Sequence, residues 1–240
     1  MSGPQCCANP PTLSPNSGVG SVIEFGGLKS YVSGPSDSKL AVLLASDVFG
    51  YEAPELRKIA DKIAAAGYYV VVPDFFNGDP LDPDNVEKLL PVWLSLHEPA
   101  KAYEEAKLVI DALKSKGITA IGAAGFCYGA KVVVELAKSS DLIQAGVLLH
   151  PSFVTLDDVK EVKAPLAILG AEMDQYTPPE LVKQFEEILS SNSEVESFVK
   201  IFPGVAHGWT VRYDLDDEMA VKSAEEAQQD TLDWIMKFVK

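Results

Sequence analysis

The chain has 240 residues, 47% of them hydrophobic, which suffices for one sizeable core and excludes a disordered polymer. Its formal net charge of −15 repels phosphate backbones and anionic lipid, so nucleic acid and membrane surfaces are not expected as partners. No apolar run approaches the ~20 residues of a membrane helix, and the opening MSGPQCCANPPTLSP lacks the apolar segment of a secretory signal.

Three cysteines, Cys6, Cys7 and Cys127, form no disulfide framework. Adjacent residues such as Cys6 and Cys7 pair with each other only with difficulty, and an odd count fits a reducing compartment. A cytoplasmic location is the resulting expectation, with the chain a monomer or a weak homodimer.

Residues 1–20 are rich in Pro, Ser, Asn and Gly and read as an irregular lead-in, followed by one domain over residues 21–240. SVIEF (21–25) and LKSYVS (28–33) flank Gly26-Gly27 and read as a hairpin. LAVLLAS (40–46) is continuously apolar, as a strand buried on both faces should be. Residues 54–66 carry Leu56, Ile59, Ala60 and Ile63 at helical spacing and stop at Gly67. YVVVP (69–73) is the next strand, and a loop rich in Pro and Asp follows it. Helices are expected over 86–96, 100–116, 130–138, 179–189 and 217–240. Strands are expected over 118–125, 145–149, 165–170 and 197–203. Strand and helix alternate, which predicts an α/β fold with a mostly parallel central sheet and helices on both faces.

The sharpest local signal is Gly125-Phe126-Cys127-Tyr128-Gly129, between a predicted strand and a predicted helix. A tight turn in that setting holds a nucleophile in a strained backbone, and the residues two before and two after it must be small. The turn also leaves the Tyr128 N–H at the positive end of a helix, where it can donate to an oxyanion. A buried structural cysteine is the competing reading of Cys127.

A thiol has a reference pKa near ~8.5 and benefits from a base. In hydrolases with such a turn the acid and the histidine follow the nucleophile in chain order. Downstream lie His150 and His207. His207 follows the last predicted strand and is the expected base, while His150 reads as a packed residue at a strand end. The acid belongs on the loop after 165–170, where Asp174 is the first choice and Glu172 its rival.

With these motifs in order, the chain resembles the dienelactone hydrolase (carboxymethylenebutenolidase) family of α/β-hydrolases, plant members in particular. The resemblance covers most of residues 20–240. It rests on LASDVFGYEAPELRKIADKIAAAGYYVVVPDFF, GFCYGA, LGAEMDQYTPPE and FPGVAHGWTVRY. It implies a Cys-His-Asp triad of Cys127, His207 and Asp174, with no metal and no organic cofactor, acting on a small ester or lactone. It also implies an oxyanion hole formed by the N–H groups of Val48 and Tyr128.

Two departures stand out. Bacterial members hold the resting thiol with a glutamate where this chain has the shorter Asp47. They also use two arginines for the substrate carboxylate. Arg212 corresponds to one, but residues 75–100 contain no arginine and offer Lys88 instead. Trp93 and His97 lie in the same region, Trp93 reading as core. Some plant members carry a β-glucan hydrolase label, so a carboxylate-based glycan hydrolase is one rival reading, although no motif marks the required acid pair. A ligand-binding protein on a hydrolase scaffold and a redox sensor at Cys127 are the others.

Overall fold

A computed structural model describes residues 9–82, 84 and 86–240, those of 86–89 by backbone alone. Among the described residues eight strands form one sheet in the order β1-β2-β4-β3-β5-β6-β7-β8. The hairpin β1 (Ser21–Phe25) and β2 (Leu28–Ser33) is the antiparallel part, with β2 pairing antiparallel to β4 (Tyr69–Pro73). From β4 onward every neighbour is parallel, through β3 (Leu40–Ala45), β5 (Ala120–Phe126), β6 (Ala145–Leu149), β7 (Leu166–Met173) and β8 (Ser197–Ala206).

Successive side chains of a strand face opposite sides, so each buried strand feeds two cores. Ile121 and Ala123 of β5 join one apolar layer, while Ala120, Ala124 and Phe126 join the other. The first layer is closed by α2 (Val86–Leu96), α3 (Pro99–Ser115), α4 (Tyr128–Ala137), the short α5 (Leu156–Lys160) and α6 (Pro179–Ser191). The second is closed by α1 (Pro54–Ala65) and α7 (Glu218–Phe238).

Three differences from the sequence reading matter. α5 has too few residues to show a helical period, and its start depends on a capping box between Thr155 and Asp158. α4 begins at Tyr128 rather than at 130, directly after the sharp turn. β7 and β8 each run three residues beyond 170 and 203, because their pairing continues past a bulge to join Met173 with Ala206. The lead-in over residues 9–20 is irregular but anchored. The buried Arg57 guanidinium donates to Pro15 O at 2.7 Å and Ser17 O at 3.1 Å, and packs on the Tyr31 ring. Cys6 and Cys7 lie outside the described residues.

Candidate active site

Strand register builds the site. Phe126 at the end of β5 pairs with Leu149 of β6, so Cys127 and His150 are the next residues on adjacent strands. Met173 pairs with Ala206, so Asp174 and His207 emerge together. Across the bulge the offset between the two strands grows by two residues, from Ala171↔Phe202 to Met173↔Ala206, so without it Asp174 would stand beside Val205 instead of His207. All four residues stand at the carboxyl ends of parallel strands, where sites of open α/β sheets form.

Cys127 has φ 50° and ψ −107°, a region costly to any residue with a Cβ. The turn is tight enough to require glycine on both sides. A Cβ on Gly125 would sit 2.2 Å from Gly129 O, and one on Gly129 would sit 2.0 Å from Ala45 O. These contacts press α4 against the end of β3. The Tyr128 amide opens α4 and has no intrahelical acceptor. Val48 follows β3 on the neighbouring strand, which pairs Ala45 with Gly125.

His207 Nδ1 donates to Asp174 Oδ2 at 2.7 Å, with both side chains fully enclosed. Asp174 Oδ1 is held in turn by the amides of Tyr176 at 2.8 Å and Thr177 at 3.2 Å. Nδ1 is thereby committed, and Nε2 is the ring nitrogen left to act on Cys127, whose charge is felt by the ring. Burial alone pushes the imidazolium pKa down. The Cys127 charge and the Asp174 hydrogen bond outweigh burial and raise it to about 9. Glu172, the rival acid, instead accepts from the Gly204 amide at 2.7 Å near the surface.

Asp47 lies beneath this group. Its Oδ2 is 3.1 Å from Arg212 Nε, and its Oδ1 accepts from the Phe49 amide at 3.0 Å. Burial raises its pKa, and the positive charges of Arg212 and His207 oppose the rise. Arg212 is itself buried, so the cation expected to meet a substrate carboxylate is engaged by Asp47. The Lys88 side chain lies outside the described residues.

His150 is completely buried, with Nε2 hydrogen-bonded to Thr210 Oγ1 at 2.8 Å and its ring 5.1 Å from that of His207. Burial, then the charges of His207 and Arg212, push its pKa well below the ordinary histidine value, so it is neutral. Trp93 is core: it stacks edge-on with Phe76 and donates Nε1 to Asp79 O at 2.8 Å. His97 pairs with Asp79 at 2.9 Å. Around Tyr128 stand Phe76, Trp93 and Phe153, with ring centres within 6.5 Å. Sequence reasoning missed Ser152, whose Oγ is 3.4 Å from Cys127 Sγ. Its only signal is its place two residues after His150.

Cys127 has no exposed surface. A cleft of about 340 Å³ reaches His207 and Arg212 beside Trp209, Met173 and Met219. A second, of about 510 Å³, lies under the β1–β2 turn between Glu24, Lys29, Glu52 and Asp74. Among the described residues no group of three or more His, Cys, Asp and Glu is arranged to hold a metal ion. Among them, too, no helix is long and apolar enough to cross a membrane.

Comparison with known proteins agrees with this architecture. The model of the Dienelactone hydrolase family matches residues 28–239. A carboxymethylenebutenolidase homolog from Xenopus tropicalis is 33% identical over 234 residues, covering 92% of this chain and 95% of its own. An endo-1,3;1,4-beta-D-glucanase from Zea mays is 49% identical over 197 residues, covering 80% of this chain; the match spans 63% of the maize protein. A dienelactone hydrolase structure from Anabaena variabilis superposes with a TM-score of 0.68 at 16% identity, covering 95% of this chain and all of that one, a likeness of fold. The chain is a hydrolase with the α/β-hydrolase fold and belongs to the dienelactone hydrolase family.

Proposed function

We propose that the chain hydrolyses small carboxylic esters or lactones through a thiol acyl-enzyme. Cys127 is the nucleophile, His207 carries the proton and Asp174 orients the ring. The observation that carries this reading is the hydrogen bond that holds His207 on Asp174 at 2.7 Å, with the Cys127 charge acting on the same ring.

The thiolate attacks the carbonyl carbon, and the amides of Val48 and Tyr128 receive the oxyanion, each donor being worth ~3 kcal/mol of barrier. Imidazolium protonates the departing oxygen. Acylation has by then removed the thiolate charge that raised the ring's pKa, so neutral His207 becomes the base that activates water. The acid is released and the thiol returns. For a lactone the leaving alcohol stays tethered to the acyl group. A thiol without exposed surface calls for a small substrate, admitted when the side chains over it part. The test is intact-protein mass spectrometry during turnover of a panel of activated esters and lactones. A transient increment equal to the acyl group, mapped to Cys127, is expected; turnover without any adduct under rapid quench would reject the thiol route.

The raised His207 pKa sets a pH dependence. The ring is protonated below about 9 and loses its proton above it. Acylation, read as kcat/KM on a small ester, is therefore expected to stay level through neutral pH and fall above about 9. Asp174→Asn removes one of the raising interactions and should bring the alkaline limb down. A wild-type limb near 7 would contradict the ion pair.

A second reading has one observation in its favour. The 510 Å³ cleft presents Glu24, Glu52 and Asp74, and Asp74 has a pKa raised first by burial and also by the charge of Glu52. Carboxyls of unequal acidity are what glycan hydrolysis requires, and the maize relative is named for that activity. Hydrolysis of a mixed-linkage glucan that survives alkylation of Cys127 and fails in Asp74→Asn would support this reading for the second cleft.

A further inference from the structure

The loop after β6, residues 150–153, touches three residues of the candidate site, His207, Cys127 and Tyr128. His150 packs on His207, Ser152 reaches Cys127 and the Phe153 ring meets Tyr128 edge-on. Its backbone is strained at both ends, with φ 37° at His150 and 63° at Phe153. Such conformations persist only where the surroundings enforce them. Here the Cys127 amide donates to Leu149 O, the Ser152 amide to Cys127 O, and the His150 amide to Leu169 O. Thr177 Oγ1 donates to Pro151 O at 2.7 Å, while the Thr177 amide holds Asp174 Oδ1. The loop is thus bonded to the nucleophile turn on one side and to the acid's loop on the other.

We infer that Ser152 is a further catalytic residue, whose hydroxyl donates a hydrogen bond to the Cys127 thiolate and holds the sulfur toward His207. This rests on the reading of Cys127 as the nucleophile. The sulfur and the hydroxyl are 3.4 Å apart, and both residues are buried, so water does not compete for either. A thiolate accepts and cannot donate, which makes the serine the donor whenever the sulfur is ionised. Asp47 is one methylene shorter than glutamate and is engaged by Arg212, while the Ser152 hydroxyl stands within reach of the resting sulfur. The consequence is functional. A carboxylate on the thiol suppresses ionisation until substrate displaces it, whereas a neutral hydroxyl donor favours the thiolate with no substrate present.

The test is the rate of iodoacetamide alkylation of Cys127 against pH in substrate-free full-length protein, read by peptide-resolved mass spectrometry to separate Cys127 from Cys6 and Cys7. In Ser152→Ala the midpoint of that profile is expected to move up by about one pH unit, corresponding to a tenfold lower thiolate fraction on the acid side. kcat for a small ester should fall several-fold with KM little changed, and Ser152→Thr, which keeps a hydroxyl, should recover part of both. A midpoint in Ser152→Ala that is unchanged or moves down overturns the inference, even if stability falls. Ester hydrolysis that persists after complete alkylation of Cys127 would instead reject the nucleophile reading, and the midpoint comparison would still report on the Ser152 contact.

Discussion

Cys127→Ala is expected to lower kcat for p-nitrophenyl acetate by about 10⁴-fold or more, because residues that act as one catalytic unit fail together. The fold should survive. The substitution removes one buried heavy atom, a loss of about 1 kcal/mol, and keeps the Cβ that the turn already accommodates at φ 50°. The same variant has a second readout, since the Cys127 charge is the foremost cause raising the His207 pKa to about 9. In Cys127→Ala the imidazole titration, followed by NMR, should move to lower pH. Activity retained at wild-type level would remove Cys127 from the mechanism. An unmoved His207 titration would break the proposed ion pair.

Gly129→Ala is expected to destabilise the protein by about 3 kcal/mol or more and to abolish activity in whatever fraction still folds. The added methyl would lie 2.0 Å from Ala45 O, 2.5 Å from its carbon and 2.7 Å from Ser46 O. These are backbone atoms at the end of a central strand, and they have no flexible side chain to swing aside. Relief requires α4 and the end of β3 to separate. That separation also pulls the Val48 amide away from the Tyr128 amide, so any oxyanion geometry is lost with it. Urea unfolding monitored by circular dichroism measures the first effect and ester turnover the second. A variant with a wild-type unfolding midpoint and wild-type kcat would show that the close approach is relaxed in solution.

The legible parts of the site were those that leave a local imprint. The Gly125 to Gly129 turn is written in five consecutive residues, because its tightness is a demand on side-chain size at fixed positions. Chain order pointed to His207 and Asp174 because each follows a parallel strand directly. Ser152 left no such imprint. Its hydroxyl meets Cys127 only because the strained turn at His150 redirects the chain back over β5. Glu172 competed with Asp174 on paper because strand ends are poorly marked in sequence. The extension of β7 to Met173 aligns Asp174 with the residue after Ala206 and leaves Glu172 facing Gly204.

By itself the sequence determined the alternation of strands and helices, since continuous apolar runs and 3.6-residue periods are properties of neighbours along the chain. It also determined the sharp turn at Cys127 and the order of the residues that follow it. Tertiary structure alone decided the register of β7 on β8, the engagement of Arg212 by Asp47, the neutrality of His150 and the hydroxyl beside the thiol. Each of these depends on the distance between groups far apart in the chain and on their removal from water, and burial and pairing across a sheet have no expression in local order.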